Sequence, residues 1–351
     1  MNDEQVLLAA VHDAAARGKA LSIQGGGSKS FYGRTTSGET LSLGNHRGIV
    51  DYTPTELVIS ARAGTPLAEL EATLAQENQM LAFEPPRFGT SATLGGTIAC
   101  GLSGPRRPYA GSARDHVLGM KCINGKGEIL RLGGQVMKNV AGYDLARTLT
   151  GSLGTLAVML EISLKVVPRP ETELTLWREC DPQEALRLFN QWAGKPLPLS
   201  GGCHIDGKLH VRLSGNRQGV ESAVAAIGGE PLAAADSFWN ALREHTLPLF
   251  TDETPLWRLS VAPATAPLDL AGNCLLDWGG AQRWLKSAMP ASDIQATARQ
   301  AGGHATLFRG GDHGGQVFQP LDPGLLALHR RIKKTFDPAG ILNPGRMYAG
   351  I

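Results

Sequence analysis

No stretch of this 351-residue chain approaches the ~20 consecutive apolar residues that a membrane-spanning helix needs. Asp3 and Glu4 stand where a secretory signal would be basic, so the sequence reads as cytoplasmic. Charge of one sign is missing too: 34 Lys and Arg against 32 Asp and Glu leave a net charge of +2, which gives no reason to expect nucleic acid. Cysteine is sparse. Cys100, Cys122, Cys180, Cys203 and Cys274 are odd in number, widely spaced and without a CxxC pair, which argues against disulfides, an iron–sulfur cluster or a thiolate zinc site.

Glycine is present in excess, with 44 in the chain against an average usage of about 7%. The excess is clustered, which points to backbone with a chemical role. The length predicts about two domains, because single cores rarely grow past roughly 250 residues.

Periodicity predicts a helix over Asp3 to Arg17, with Val6, Leu7, Ala10, Val11 and Ala14 on one face. A strand over Ala20 to Ile23 runs straight into Gln24-Gly25-Gly26-Gly27-Ser28-Lys29. Strands are expected at Thr40 to Leu43, Ile49 to Tyr52 and Leu57 to Ala61, then a helix over Leu67 to Gln76 with Thr65 as N-cap and Pro66 at its first position. The stretch Gly89 to Gly104 reads as too rich in glycine and small residues for a regular element. Pro168 and Pro170 mark a change of composition, so the first domain is expected over 1–168, a second α+β domain over 169–322 and a closing segment over 323–351. In the second domain the pattern predicts strands at Leu174 to Glu179, Gly202 to Leu213 as a pair, Leu256 to Val261 and Cys274 to Trp278. Helices are expected at Pro182 to Trp192, Val220 to Ile227 and Pro323 to Phe336.

A strand ending in three glycines, Ser28 and Lys29 suits an anion, because glycine lets successive N–H groups converge on phosphate oxygens. An ordinary tight turn would look the same. It is neither a Rossmann fingerprint nor a Walker loop. Two further segments add weight: Ser91, Thr93, Leu94, Gly95, Gly96, Thr97 and Gly101, and Gly151 to Leu156. Three such segments in one domain fit a long ligand carrying a diphosphate better than a mononucleotide.

The order of these pieces resembles the FAD-binding domain of the vanillyl-alcohol oxidase and p-cresol methylhydroxylase (PCMH) superfamily. The matching motifs are GGGSK, Ala63-Gly64-Thr65, Ala92 to Gly96, Gly111 to Asp115, Lys138 to Asp144, GSLGTL and the terminal Phe336 to Met347. Within it the chain is similar to the D-2-hydroxy acid dehydrogenase branch, and to the smaller flavin-binding subunits of bacterial glycolate oxidases. The resemblance implies an α+β fold: a PCMH-type domain of two α+β subdomains, a smaller α+β cap with an antiparallel sheet, and a returning tail. It also implies that Gln24 to Lys29 and Ser91 to Thr97 hold the diphosphate of FAD. Gly154, Thr155 and Leu156 would lie near the adenine half, Asn343 on the flavin side, and Arg114 with Asp115 near the cofactor. Some members attach flavin covalently through a histidine after the glycines; Ser28 stands there, so non-covalent FAD is expected.

Catalytic members of the branch carry a pattern like HxGDGNxH and a later EHG triplet. Here His204 to His210 is one residue short, and Asp312 precedes His313 where a glutamate is expected. On one strand His204 and His210 would share a face at a changed register. The bland alternative is a hairpin with polar ends and a tail turn. No metal is expected; His304, Arg309 and His313 are open candidates for substrate or partner contact, while Arg106 and Arg107 read as loop arginines, solvated as a rule although their forks suit carboxylates.

Three functions remain at this point. One is a redox subunit of a glycolate oxidase complex, beside a catalytic FAD subunit and an iron–sulfur subunit, with membrane contact only peripheral and through the complex. The others are a stand-alone D-2-hydroxy acid dehydrogenase and a non-catalytic FAD-binding assembly subunit.

Overall fold

The computed structural model describes residues 3–134 and 144–351. The chain divides into two compact units: Met1–Leu102 with Ser112–Pro168 and Pro320–Ile351, and Ser103–Gly111 with Arg169–Gln319. Ser103–Gly111 therefore departs from a single cut at 168. It is tied into the second unit by the Arg106–Glu173 ion pair at 2.5 Å and by Trp278 Nε1 donating to the Gly104 carbonyl at 3.0 Å.

In the first unit a five-stranded antiparallel sheet runs in the order Ile49–Thr53, Val58–Arg62, Ala157–Lys165, Val117–Asn124, Ile129–Gly133. A small parallel pair, Leu21–Gln24 with Glu39–Ser42, stands apart from it. The amino-terminal helix Asp3–Arg17 buries Leu7, Val11 and Ala14, spaced to fall on one stripe. The helix Leu67–Gln76 does the same with Leu67, Leu70 and Leu74. Each leucine so buried contributes roughly 1.5–3 kcal/mol.

Two local expectations fail, for a common reason. Thr65 does not cap the Leu67–Gln76 helix; its hydroxyl is exchanged with the backbone of Gly48, and the Leu67 N–H goes to the Ala92 carbonyl at 2.8 Å. The glycine-rich stretch is a regular helix, Leu94–Cys100, whose N-cap Thr93 accepts from Gly96 N at 3.3 Å and whose C-cap Gly101 is left-handed. Its glycines serve close packing: a Cβ on Gly95 would lie 2.7 Å from Ala63 Cβ. Tertiary contact decides both sites over local propensity.

The second unit is built on an eight-stranded antiparallel sheet. Its order is Glu230–Pro231, Thr172–Glu179, Lys208–Gly215, Leu199–Ile205, Asn273–Asp277, Gln282–Lys286, Leu256–Ser260, His304–Arg309. Helices Pro182–Ala193 and Arg217–Ile227 cover one face, where Leu176, Leu209, Val211 and Leu213 pack with Leu188, Phe189 and Val220. Helix Ala291–Gln300 packs with Leu259, Leu285 and Leu307 through Ile294 and Ala298. The strands Gln282–Lys286 and His304–Arg309 and the helices Ala235–Glu244 and Ala291–Gln300 had no sequence expectation.

The carboxy-terminal helix Pro323–Phe336 fastens the tail to the first unit. Lys333, buried in its last turn, donates to the Thr155 carbonyl (2.7 Å), Asp337 Oδ2 (2.7 Å) and the Leu342 carbonyl (2.8 Å), which engages all three ammonium protons. Asp337 in turn accepts from Ile341 N and Leu342 N. Lys333→Met strands a buried carboxylate and is expected to cost about 3–5 kcal/mol in denaturant unfolding. The double variant Lys333→Met with Asp337→Leu should recover part of that loss, and recovery of none would show that the pair is not the fastening.

Candidate functional site

The strand Leu21–Gln24 delivers the chain into the glycine loop, where Gly27 takes a left-handed φ of 74°. The other two glycines are required by a neighbour. A Cβ on Gly26 would lie 1.4 Å from the Ser91 carbonyl oxygen, and one on Gly25 would lie 2.3 Å from Thr93 Oγ1. Only bare backbone lets the two loops touch.

A cleft of about 680 Å³, partly open to solvent, lies along this contact, lined by Gln24 to Ser30, Thr93, Gly96, Cys100, Leu153, Asn343 and Arg346. A second chamber of about 410 Å³ shares Ile23, Gly25, Gly96, Ala99, Leu153 and Asn343 with it and is walled by Leu43, Ala63, Gly95, Gly154, Ala157 and Met159. The first chamber is rich in backbone and bounded by two cations; the second is mainly apolar. A ligand with an anionic middle and a flat apolar end fits such a pair of chambers.

Lys29 is buried beside the glycines and donates to the Arg87 carbonyl at 3.2 Å. Arg346 donates from Nη2 to the carbonyls of Ser30 (2.8 Å) and Tyr32 (2.7 Å), which holds the loop's far end. Both cations act on Cys100: burial pushes its thiol up to about 11, and Lys29 and Arg346 oppose the rise. The thiol is thus protonated near neutrality and is no nucleophile. Asn343, at a φ of 40°, spends its side chain on backbone: Oδ1 accepts from Ile23 N and Nδ2 donates to the Leu153 carbonyl, each at 2.7 Å.

Of the residues assigned to the cofactor by resemblance, Gln24, Gly25, Gly26, Gly27, Ser28, Lys29, Thr93, Gly95, Gly96, Gly154 and Asn343 line these chambers. Ser91 stands behind Gly26 and lends only its carbonyl. Leu94 and Thr97 are buried within their helix, and Gly101 packs as its C-cap against Gly151. Thr155 turns its hydroxyl to the Ser152 carbonyl, and Leu156 joins the core. Arg114 and Asp115 are exposed, and the Asp115 carboxylate accepts from Ser112 N and Oγ in a capping box. Gly154 and Asn343, placed at opposite halves of the dinucleotide, are neighbours: a Cβ on Gly154 would lie 2.7 Å from Asn343 Nδ2. The Lys138 to Tyr143 part of one motif lies outside the described residues, and Asp144 caps the short helix Leu145–Leu149. Met159 was missed, and Arg346, Cys100 and Leu153, which also line the chambers, were not named although they lie in segments the sequence singled out. Arg346, three residues from Asn343 in the same tail turn, was the legible one.

The histidine candidates are not assembled. His204 and His210 lie on different strands of one hairpin, turned at Asp206 and Gly207, and pair across it with Leu209 and Cys203 respectively. Paired residues share a face and successive residues alternate, so the two imidazoles point to opposite sides of the sheet. The strand pair expected over Gly202 to Leu213 is what forms, though its histidines are buried rather than exposed, and the shared face that a single strand would have given them does not arise. His204 Nε2 donates to the Cys180 carbonyl at 2.9 Å, whereas His210 stacks on Phe238 with centroids 4.2 Å apart. Asp312 is exposed and closes its own turn by accepting from Gly314 N at 2.8 Å, beside His313. Among the described residues no three His, Cys, Asp or Glu could hold a metal. Arg106 is buried in its ion pair rather than solvated, and Arg107 lies 4.4 Å from the centre of the Trp278 ring.

Comparison with known proteins agrees with the geometry. Residues 1–133 match the FAD binding domain family, and residues 310–347 match the C-terminal domain of FAD linked oxidases. The chain is 52% identical over 346 residues to the glycolate oxidase subunit GlcE of Escherichia coli, covering 98% of this chain and 97% of that one. It is 41% identical over 108 residues to the glycolate oxidase subunit GlcD of Bacillus subtilis, which is 30% of this chain and 23% of that one. Among solved structures, alkyldihydroxyacetonephosphate synthase superposes with a TM-score of 0.69 over 96% of this chain and 74% of its own, at 15% identity, a likeness of fold. FAD is the cofactor, and the two chambers suit it.

Gly26→Ala is expected to force the loops apart and to yield folded protein that purifies with little flavin, read as the ratio of flavin to protein absorbance. Retention of the full complement would refute the close-contact account. A second expectation concerns acid. Burial lowers the His210 imidazole from 6.5 to about 4, and burial likewise holds His245 well below its usual value. Between pH about 6.5 and 4 the unfolded chain therefore binds more protons than the folded one, so stability present above that window is lost as pH falls through it. His210 alone accounts for on the order of 3 kcal/mol. His210→Phe should flatten the slope of stability against pH in that range.

Proposed function

We propose that this chain, which belongs to the GlcE family of FAD-linked oxidases, is the FAD-binding redox subunit of a complex that oxidises glycolate to the 2-oxo acid. D-lactate, a close 2-hydroxy acid, is a second substrate of the same reaction. The observation that carries this reading is the end-to-end 52% identity to the GlcE subunit, over 97% of its length. Bound FAD would supply a hydride acceptor for the hydroxy acid and a donor of single electrons to another centre. The chain's own part is to hold and exclude. Gln24 to Lys29 would present backbone N–H groups to the diphosphate in the cleft that Thr93 and Gly96 bound, and Lys29 and Arg346 would neutralise it. Asn343 fixes the strand and the Leu153 turn that wall the apolar chamber, and Met159 and Leu153 keep water from it.

The five cysteines, widely spaced and without a CxxC pair, supply no cluster, so onward transfer calls for an iron–sulfur subunit. A second FAD subunit supplies the catalytic base, since His204 and His210 point to opposite sides of the sheet and Asp312 is spent on its own turn. No helix among the described residues is long and apolar enough to cross a membrane, and in this reading the complex works in the cytoplasm, touching the membrane only peripherally. The separation of His204 and His210 also supports a second reading, in which the chain is a non-catalytic FAD-binding assembly subunit.

The test is anaerobic addition of glycolate to the purified chain and to the chain co-purified with its partners. The flavin is expected to stay oxidised in the chain alone and to bleach in the complex, with iron present in the complex only. Rapid bleaching of the isolated chain would establish a stand-alone dehydrogenase. Full turnover by a complex carrying the flavin-free Gly26→Ala chain would establish the assembly role. Ser28 in place of the linking histidine also means that acid precipitation should release all the flavin into the supernatant.

A further inference from the structure

The second unit holds a pocket of about 500 Å³, partly open to solvent, that shares no lining residue with the FAD chambers. Its floor is one rung across four neighbouring strands: His204 pairs with Leu276, Leu276 with Arg283, and Arg283 with Leu259, so the four side chains share a face. Leu285 flanks the rung, and Leu268, from the segment between two strands, faces it across the cavity. The wall is thus five leucines and two prolines with three further groups, the Arg283 guanidinium, the His204 imidazole and the Cys274 thiol.

Arg283 is 1% exposed. Its Nε donates to the Gly280 carbonyl (3.3 Å), Nη1 to the Ala266 carbonyl (2.8 Å) and Nη2 to the Thr265 carbonyl. All these partners are neutral, and among the described residues no carboxylate pairs with the guanidinium. A guanidinium has five N–H groups, so two are left over. A buried cation without an anion is costly, and burial lowers the Arg283 pKa. At the other end of the rung His204 Nε2 faces the Cys180 carbonyl. A carbonyl only accepts, so Nε2 carries the proton and Nδ1 of the neutral ring is an acceptor.

We propose that this cavity binds a short monocarboxylate with an apolar body, its carboxylate on the two remaining N–H groups of Arg283 and its chain laid over Leu259, Leu276 and Leu285. Two strand spacings, roughly 10 Å, separate Arg283 from His204. A chain of about six carbons crosses most of that span. A hydroxyl at its far end would donate to His204 Nδ1.

The experiment is calorimetric titration of the FAD-loaded full chain with sodium hexanoate and, separately, with hexanamide, with the flavin spectrum recorded throughout. Hexanoate is expected to saturate one site per chain without changing the flavin spectrum, and hexanamide to bind at least about tenfold more weakly. Arg283→Met should weaken hexanoate to the level of hexanamide. Leu268→Trp, which fills the cavity from its looser wall, should abolish both. The proposal is overturned by no saturation up to the order of 10 mM, by equal affinity for the amide, by a flavin spectral shift that places hexanoate in the FAD cleft, or by full binding to Leu268→Trp. The wild-type comparison decides the matter even if Arg283→Met does not fold.

Discussion

The contact between the Gly26 backbone and the Ser91 carbonyl is the constraint on which the cofactor site depends. Two loops, separated by more than sixty residues in sequence, approach so closely that a single methyl group at Gly26 would overlap a carbonyl oxygen. That approach leaves the first loop lining a space that the second loop bounds through Thr93 and Gly96. The Leu94–Cys100 helix must then lie flush on Ala63, and Gly95 makes that possible. The glycine surplus is therefore a requirement of backbone packing against backbone, with cofactor binding as its product. A tight turn of the same composition would place no such demand on its neighbours.

The other wall comes from the end of the chain. Leu21 N–H donates to the Ile341 carbonyl and Asn343 N–H to the Leu21 carbonyl, so the tail runs beside the first strand as a third member. Asn343 then spends both ends of its amide on Ile23 and Leu153, and Lys333 joins Thr155 to Leu342. The first strand, the Gly151 to Leu156 turn and the tail are thus one hydrogen-bonded unit. Closing a loop of about three hundred residues costs little more than closing one of half that length, so such distant segments can meet at modest entropic expense. The consequence is that the cleft cannot be complete until the tail has docked.

How legible this was varies with the range of the forces involved. The helices Asp3–Arg17, Leu67–Gln76 and Pro323–Phe336 were readable to the residue, because an apolar stripe of helical period is a local signal. The glycine loop was readable as backbone with a purpose. The Leu94–Cys100 helix was not, since its glycines lower helix propensity and only Ala63 and the Thr93 cap compensate. The strand Gln282–Lys286 escaped notice for a related reason: its five residues are all buried, yet they include glutamine, arginine and lysine. Arg283 lies among carbonyls and Lys286 donates to the carbonyls of Asp252 and Thr254. Composition alone would place those side chains in water.

The hairpin at Asp206 and Gly207 shows why motif spacing is weak evidence until topology is known. Six residues apart on one strand, two histidines share a face and can meet a common ligand. With a two-residue turn between them, His204 faces Leu209 across the pair and His210 faces Cys203, which puts the sheet itself between the imidazoles. His204 then shares its face with Arg283, and His210 shares its own with the aromatic Phe238. One of the two retains polar reach into a cavity, while the other is dehydrated to the point that its imidazole stays neutral well below pH 6.5. The separation removes paired chemistry at this hairpin and leaves two histidines with unrelated physical roles, one a hydrogen-bonding wall and one a buried aromatic.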